Sequence, residues 1–221
     1  MIQKKKAFLF DLNGTMIDDM HYHIKAWHRI LNGFGANMTM EEMKHECYGR
    51  NNELLERIFP GRFSVEEQTK MIIDKETEYQ AEFRPHLRLI DGLPEFLKKA
   101  HAAGIPMAIG SAAIMFNIDF VLDGLSIREY FDVLISADEV KHSKPDPETY
   151  LLCASELGID PADCIVFEDA PKGVESALNA GMKSVVITTM HRPDEFSQYD
   201  NIISFIKDYN DASLSTLLAS G

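Results

Sequence analysis

The stretch AFLFDLNGT, residues 7–15, decides the fold. Its first four residues, Ala7 to Phe10, are all apolar, which is typical of a short strand buried on both faces of a parallel sheet. The run gives way at once to a polar turn that begins with Asp11 and contains Gly14. In open parallel sheets, ligands bind outside the carboxyl ends of the strands, so this turn is the first candidate for a functional site.

A helical block follows this first strand. From Asp18 to about Phe83, apolar residues recur at helical spacing, as in Ile24 and Trp27, and glycines and prolines divide the stretch into several helices. No part of the block alternates in the manner of a strand. It is predicted to form an all-helical cap, residues 17–88, inserted where the strands of the sheet end.

Beyond the block, strand and helix patterns alternate with short links. This alternation predicts a doubly wound α/β core, residues 1–16 and 89–221, with parallel strands and right-handed crossovers. Further strands are predicted at 105–109, 133–135, 164–167 and 184–187, with helices at 93–103, 114–122, 146–157 and 173–180 and a last strand and helix after Asn201.

The composition is that of an ordinary globular protein, since 45% of the 221 residues are hydrophobic and 26% are charged. The formal net charge of −13 argues against a nucleic-acid partner, because phosphate backbones repel an acidic surface. A small phosphorylated substrate is still allowed, since a metal ion or a cluster of cations reverses the sign within one pocket.

Neither a membrane span nor a secretion signal is recognised. The apolar run after the basic start, residues 1–6, is too short for a signal peptide, and no stretch approaches the ~20 apolar residues of a span. Cys47, Cys153 and Cys164 have the spacing of neither a disulfide framework nor a zinc site. We therefore expect a cytoplasmic protein without a membrane partner. We also expect a monomer, although no sequence pattern decides the oligomeric state.

Polar side chains follow several of the predicted strands. The first strand ends at Asp11, the second at Ser111 and a later one at Glu168 and Asp169, while Lys144 precedes a predicted helix. Together they supply carboxylates for a metal ion, a hydroxyl and an ammonium group. This is the equipment for binding and attacking a phosphoryl group.

Each of these residues also has a purely structural interpretation. Ser111 is suited to cap the helix that follows it, and Glu168 and Asp169 to cap the helix near Gly173. Lys144 taken alone is more typical of an exposed surface charge. It is their joint occurrence in this order that favours a catalytic site.

The order of these residues resembles the four motifs of the haloacid dehalogenase superfamily. The matching segments are FDLNGT at 10–15, GS at 110–111, KPDP at 144–147 and FEDA at 167–170, and they span most of the chain. In the cap, HYHIKAW at 21–27 and GRNNE at 49–53 are similar to the first helix and substrate loop of the beta-phosphoglucomutase and small-phosphatase subfamily.

The resemblance implies a chemical role for each core residue. Asp11 would attack phosphorus and become an aspartyl phosphate. Ser111 would hydrogen-bond the transferring phosphoryl group, and Lys144 would balance the charge that develops on it. Asp11, the backbone carbonyl of Asn13 and the carboxylate of Asp169 would hold Mg²⁺, with Glu168 close by, since oxygen ligands suit this ion.

A substrate-binding set is implied as well. It comprises Gly14 and Ala112 beside the phosphoryl group, and His23, Arg50, Asn52 and Lys75 in the cap. An alternative stays open for each cap residue: His23 equally fits a satisfied structural histidine, and the other three equally fit solvated positions.

One residue departs from the family's pattern. Two positions after the nucleophile, most phosphatases and mutases of this group carry an aspartate that protonates the leaving oxygen and then activates water, whereas this chain has Asn13. An amide hydrogen-bonds but does not transfer a proton at neutral pH. The loss of general acid–base catalysis predicts a rate penalty of ~10²–10⁴-fold for alkoxide leaving groups.

Three interpretations of Asn13 remain open. The residue is an engineered trap for the phosphoenzyme, or it is natural and serves substrates such as acyl phosphates, whose leaving groups need little protonation. In the third interpretation another side chain supplies the proton, with His23 the nearest candidate.

The sequence therefore supports three hypotheses about function. The first is a Mg²⁺-dependent phosphatase for a small phosphorylated metabolite, and the second is a phosphosugar mutase on the same core. The third is a weakened member that binds a phosphorylated ligand or a partner protein. The mutase hypothesis is disfavoured by Asn13 and by Asn52, which stands where the family places an arginine that holds the substrate phosphate, although Arg50 is nearby.

Overall fold

The structure, a computed structural model, describes residues 6–219. The chain divides into two compact units, one that ends at Asp18 and resumes at Arg88, and one that spans Asp19–Leu87. The cap predicted from the sequence, residues 17–88, begins two residues earlier and ends one residue later than this second unit. The outermost parts of the predicted core, residues 1–5 and 220–221, lie outside the described residues.

The helical unit contains the first four α-helices of the chain. All of its residues are described, and every regular element in it is helical, as the sequence predicts. Two of the helices begin at capping boxes, in which a hydroxyl at the N-cap and a glutamate three residues later bond each other's backbone N–H, at Thr39 and Ser64. The helices are α1 (Met20–Gly33), α2 (Met40–Glu46), α3 (Asn51–Ile58) and α4 (Val65–Phe83).

The larger unit is built on a six-stranded sheet within the described residues, in the order β3-β2-β1-β4-β5-β6. Every pairing is parallel. The strands are β1 (Ala7–Phe10), β2 (Met107–Gly110), β3 (Val133–Ile135), β4 (Cys164–Glu168), β5 (Lys183–Ile187) and β6 (Ile202–Ile206).

Helices cover both faces of this sheet. They are α5 (Leu93–Ala102), α6 (Met115–Leu125), α7 (Glu148–Leu157), α8 (Pro171–Asn179) and α9 (Leu214–Ala219). The side chains of β1 alternate between the faces: Leu9 packs in one buried cluster with Tyr150 of α7, while the rings of Phe8 and Phe10 pack against Phe96 of α5. The predicted doubly wound parallel sheet is confirmed.

Element boundaries differ slightly from those predicted. The strand expected at 105–109 begins at Met107, because the backbone N–H of Ile105 donates to the carbonyl of Ala100 and closes the preceding helix. The helix expected to begin at Gly173 begins at Pro171, a residue whose fixed φ suits the first turn. Among the described residues, no helix combines the length and apolar character needed to span a bilayer.

Strand order explains why the polar motifs meet. β1 lies between β2 and β4, with Phe10 opposite Ile109 on one side and Phe167 on the other. Asp11, Ser111 and Asp169 follow these three strands and therefore lie at one edge of the sheet. Parallel pairing of the strands thus brings residues that are far apart in the sequence close together in the structure.

Candidate active site

Asp11 and Lys144 form a buried ion pair at the end of β1. The Lys144 ammonium donates to Asp11 Oδ1 at 2.7 Å and to Glu168 Oε1 at 2.8 Å. Burial alone lowers the pKa of Lys144, but the two carboxylates outweigh it and raise the pKa above its ordinary value. Lys144 is therefore a fixed cation held against the carboxylate of Asp11, and the alternative of an exposed surface lysine is wrong.

Glu168 orients this lysine. Its Oε1 also accepts from the Tyr150 hydroxyl at 2.9 Å, and its Oε2 accepts from the backbone N–H groups of Asp169 and Ala170 at 2.9 and 3.0 Å. The Lys144 ammonium lies 4.6 Å from the centre of the Tyr150 ring. Four donors thus fix the Glu168 carboxylate, which in turn fixes the lysine.

Sequence reasoning missed Tyr150. It stands on the first turn of α7, a few residues after the KPDP segment, and its side chain is fully buried. The spacing from Lys144 to Tyr150 was a usable signal, because a helix that starts just after the lysine brings its first turn back beside the strand ends. In the sequence alone, an aromatic residue at this helix position is equally typical of core packing.

Gly173 supplies the space that Glu168 occupies. A Cβ atom built on Gly173 would lie 1.7 Å from Glu168 Oε1 and 1.9 Å from its carboxyl carbon, far inside van der Waals contact. A side chain at this position is therefore incompatible with the bonds that Glu168 makes to Lys144 and Tyr150.

Gly173→Ala is expected to destabilise the fold by about 1–3 kcal/mol, the usual cost of overpacking, because Glu168 must leave its position. Urea unfolding followed by circular dichroism measures this cost. The matched control is Gly33→Ala, a helical glycine whose added Cβ would meet no atom within 4 Å beyond its chain neighbours and its own helix backbone. The control should be neutral or stabilising by up to ~1 kcal/mol. Equal stability of the two variants would show that Glu168 is not confined as described.

Asp169 is held by the turn that follows β1. The Thr15 hydroxyl donates to Asp169 Oδ1 at 3.2 Å, and a Cβ on Gly14 would lie 2.2 Å from Asp169 Oδ2. Gly14 has a φ of +77°, in the left-handed region that favours glycine. Only glycine therefore lets the turn approach this carboxylate so closely.

The carboxylates of this cluster repel one another. Burial and the negative charges of Glu168 and Asp11 raise the pKa of Asp169 well above its ordinary value, although Lys144 and Thr15 oppose the shift. Three carboxylates face one ammonium group here, which leaves net negative charge in a buried place. A bound cation would relieve this repulsion.

The donor set fits a hard divalent cation. Single oxygen atoms of Asp11, Glu168 and Asp169 lie within 4.8 Å of one another, and all three residues are buried. Oxygen donors at this density are what Mg²⁺ prefers, whereas zinc sites favour sulfur and nitrogen. The absence of a Cβ at Gly14 keeps open the space beside the Asp169 carboxylate.

Ser111 lies one residue beyond the end of β2. Its N–H donates to the carbonyl of Ile135 and its hydroxyl oxygen accepts from the N–H of Ala113, at 3.0 and 3.1 Å. The helix that follows starts at Met115 with Ile114 at its N-cap, so Ser111 is not the cap. Ala112 is half-buried beside it.

Asn13 lies in the turn beside Asp11. It forms an isolated bridge with Ile17, and the N–H of Gly14 donates to the carbonyl of Ile17 at 2.8 Å. Asn13 is half-buried. The turn is thus closed by its own backbone, and the Asn13 peptide belongs to an ordered segment.

Two of the predicted cap residues lie in a buried polar cluster of the helical unit. Lys75 Nζ lies 2.6 Å from His23 Nδ1 and 2.9 Å from Glu76 Oε1, and His23 Nε2 lies 3.2 Å from Asp19 Oδ2. Because an ammonium only donates, His23 Nδ1 accepts and its proton sits on Nε2, facing Asp19. Both ring nitrogens are engaged, which favours an orienting role over proton transfer.

The same cluster continues into α3. Asn51 Nδ2 donates to Glu76 Oε1 at 2.7 Å, and the indole of Trp27 donates to Asn51 Oδ1 at 3.1 Å. Lys75 is only 1% exposed, so the alternative of a solvated lysine is wrong. Asn51 lies between the two predicted loop residues and was not singled out from the sequence.

The predicted substrate-loop residues lie at the start of α3. Arg50 pairs with Glu53 through its guanidinium at 2.8 Å, and its backbone N–H donates to the same glutamate. Asn52 is exposed on the first turn. Substrate binding by either residue stays a prediction.

Comparison with known proteins decides the family. The sequence profile of the haloacid dehalogenase-like hydrolases matches residues 8–187, which include the four motif segments. The chain belongs to the haloacid dehalogenase-like hydrolase family. It is therefore an enzyme of the hydrolase class, as the sequence predicts.

Individual members of the family resemble the chain over most of its length. Fructose-1-phosphate phosphatase YqaB of Escherichia coli K12 is 32% identical over 198 residues, which cover 84% of this chain and 97% of that protein. The crystal structure of a haloacid dehalogenase hydrolase of family IA, variant 3, from Entamoeba histolytica superposes with a TM-score of 0.85 at 27% identity, covering 97% and 98% of the two chains.

The predicted subfamily is also confirmed. The structure of beta-phosphoglucomutase from Clostridium difficile superposes with a TM-score of 0.83 at 25% identity, covering 98% of this chain and 96% of that one. Together with the sugar phosphatases among its relatives, this places the hydrolase in the beta-phosphoglucomutase-like branch.

Proposed function

We propose that this hydrolase is a Mg²⁺-dependent phosphatase that acts on a small phosphorylated metabolite through an aspartyl phosphate on Asp11. The observation that carries the proposal is the pairing of Asp11 with Lys144 inside a cluster of carboxylates at the strand ends. A carboxylate held by a fixed cation next to a cation-binding cluster is poised to attack an anionic phosphoryl group.

In the first step, a carboxylate oxygen of Asp11 attacks phosphorus and the bond from phosphorus to the leaving oxygen breaks. Lys144, 2.7 Å from Asp11 Oδ1, balances the charge of the incoming phosphoryl oxygens. Ser111 follows the neighbouring strand and offers its hydroxyl to the same group. The product of this step is the aspartyl phosphate.

Asp11, the carbonyl of Asn13 and Asp169 would hold Mg²⁺, with Glu168 near it. Held there, the ion would supply positive charge that offsets the negative charge of the phosphoryl oxygens. Thr15 supports the Asp169 carboxylate by a hydrogen bond, and the missing side chain of Gly14 leaves that carboxylate accessible.

In the second step, water attacks the aspartyl phosphate and must lose a proton. The amide of Asn13 does not accept that proton, so hydrolysis of the intermediate is slow at neutral pH. The same amide does not protonate a leaving alkoxide in the first step, so that oxygen must take its proton from water. The carboxylate that leaves from an acyl phosphate needs no proton, so the first step is not slowed for these substrates. Hydrolysis of the aspartyl phosphate is slowed for every substrate.

The substrate class is proposed from the relatives. One is named for fructose 1-phosphate, and others are named hexitol phosphatase B of Escherichia coli and phosphorylated carbohydrates phosphatase of Thermotoga maritima. A phosphorylated sugar or sugar alcohol is therefore the first candidate. An acyl phosphate is the second, and Asn13 is the residue that favours it.

A cytoplasmic location is also proposed. The three cysteines of the sequence are free thiols. Burial raises the pKa of Cys47 to about 11 and those of Cys153 and Cys164 to about 12. Protonated thiols that form no disulfide suit a reducing compartment.

Phosphate release from a panel of substrates tests the proposal. The panel contains acetyl phosphate, fructose 1-phosphate, a hexitol phosphate and glucose 6-phosphate, each with Mg²⁺ and with chelator in its place. We expect phosphate release only with Mg²⁺, and a first-turnover rate of leaving-group release that is highest for acetyl phosphate, because its leaving group needs no proton. We also expect millimolar Mg²⁺ to raise the melting temperature, since it binds the folded state and relieves carboxylate repulsion.

Two outcomes would overturn this account. The first is release that persists in chelator at the same rate. The second is no Mg²⁺-dependent release from any substrate, either by the natural chain or by its Asn13→Asp variant, which restores the missing proton donor.

A further inference from the structure

A side chain beyond β5 is bonded to the turn that carries the proposed metal-binding carbonyl. The hydroxyl of Thr189 donates to the carbonyl oxygen of Gly14 at 2.6 Å. Thr189 stands two residues after Ile187, the last residue of β5, and β5 pairs with β4, whose end leads to Asp169. The bond therefore joins separate strand ends on the two sides of the acidic cluster.

The carbonyl that Thr189 binds belongs to the residue after Asn13. The next carbonyl, of Thr15, accepts from the buried hydroxyl of Tyr209 at 3.1 Å. Two hydroxyl groups from distant parts of the chain thus hold two successive peptides of one turn. They add to the backbone bonds of the turn, in which the N–H groups of Gly14 and Met16 donate to the carbonyls of Ile17 and Leu12 at 2.8 Å.

Gly14 is the residue of this turn with the greatest backbone freedom. Its lack of a side chain permits the close approach to Asp169, but it also gives the backbone more conformations than any other residue has. A peptide that must point one carbonyl toward a cation needs its neighbours fixed. A hydrogen bond at the Gly14 carbonyl limits rotation of the peptides on either side of it.

We propose that Thr189 is a positioning residue for the metal site, which holds the Asn13–Gly14 segment so that the Asn13 carbonyl and the Asp169 carboxylate face one cation. This inference rests on the proposed function, because it takes the acidic cluster to be a Mg²⁺ site. In this role Thr189 bonds the carbonyl of Gly14 and does not ligate the cation. It acts through the backbone.

Binding of Mn²⁺ as a probe, measured by electron paramagnetic resonance without substrate, tests the proposal. Thr189→Val keeps the shape of the side chain and removes the hydroxyl, so the dissociation constant is expected to rise about tenfold or more, the usual effect of losing a supporting hydrogen bond. Thr189→Ser keeps the hydroxyl and is expected to restore binding to within about twofold of the natural chain, well short of that tenfold loss.

The matched control is Thr188→Val. The Thr188 hydroxyl also donates to a backbone carbonyl, that of Ile206, at 3.2 Å, but away from the turn. This variant is expected to bind Mn²⁺ as the natural chain does, even where its melting temperature falls. A KM for Mg²⁺ that rises in Thr189→Val, with kcat at saturating Mg²⁺ little changed, would support the same conclusion.

The outcomes separate the inference from the proposed function. If the natural chain binds Mn²⁺ and Thr189→Val binds it equally well, Thr189 has no positioning role. The same conclusion follows if Thr188→Val weakens binding as much, because the effect is then general loosening. If the natural chain binds no divalent cation at all, the acidic cluster is not a metal site, and the proposed role of Thr189 is wrong as well.

Discussion

Replacing Asp11 with asparagine is expected to abolish turnover while leaving the fold intact. Asparagine keeps the shape of the side chain but has no nucleophilic carboxylate, so no aspartyl phosphate forms. Loss of a covalent nucleophile lowers kcat by roughly 10⁴-fold or more. Mg²⁺-dependent phosphate release from acetyl phosphate measures the change, and circular dichroism with a melting curve reports on the fold.

The fold should survive because Lys144 keeps its second partner. Its ammonium remains 2.8 Å from Glu168 Oε1 when Asp11 is neutral. Asp169 loses one of the charges that raise its pKa, which offsets part of the lost ion pair. The matched control is Asp18→Asn, an exposed aspartate near the same turn, which should leave turnover unchanged. Turnover by Asp11→Asn near the natural level would show that Asp11 is not the nucleophile.

Replacing Asn13 with aspartate is expected to raise turnover of alkyl phosphates by at least about tenfold, within the usual range of general acid–base catalysis. The new carboxyl group protonates the leaving oxygen and then accepts the proton of the attacking water. The gain should be larger for a hexitol phosphate than for the first turnover of acetyl phosphate, whose leaving group needs no proton. Steady-state and single-turnover rates on both substrates measure it.

The double variant Asp11→Asn, Asn13→Asp is the control for this gain. If the aspartate acts on the phosphoenzyme chemistry, the double variant has no more activity than Asp11→Asn alone. A single variant that hydrolyses alkyl phosphates no faster than the natural chain would mean that another group already transfers the proton. The two bonded ring nitrogens of His23 argue that this histidine is not that group.

Much of the core followed from short patterns in the sequence. The apolar run before Asp11 predicted a central strand, and β1 is indeed paired on both sides. Because parallel strands align their carboxyl ends, the polar residues after each run had to gather at one edge of the sheet. That inference needs only strand direction, so it succeeded for Asp11, Ser111 and Asp169.

The supporting residues did not follow from the sequence. Tyr150 and Gly173 act only through their contacts with Glu168, and Thr189 only through the carbonyl of Gly14. Such roles depend on distances between atoms from separate elements, which periodicity does not encode. A tyrosine on a helix, a glycine in a helix and a threonine after a strand are each ordinary features until the fold brings them together.

The helical unit shows the same limit. The motif around His23 indicated a polar role, but its bond to Lys75, 52 residues further along, required the packing of α1 against α4. Asn51 accepts the hydrogen bond from the indole of Trp27, whereas the sequence predicted roles for its neighbours Arg50 and Asn52. In helices, a shift of one residue turns a side chain by about a quarter turn, so spacing alone identified the segment and not the residue.

The most direct test of the central claim is the mass of the chain after a brief reaction. The chain is mixed with acetyl phosphate and Mg²⁺, quenched in acid within seconds, and examined by mass spectrometry intact and after proteolysis. The account predicts a gain of one phosphoryl group on the peptide that carries Asp11, since Asn13 slows its hydrolysis, and no gain in Asp11→Asn. A phosphoryl group on a different residue, or phosphate released by direct attack of water with no phosphoenzyme at any time, would contradict it.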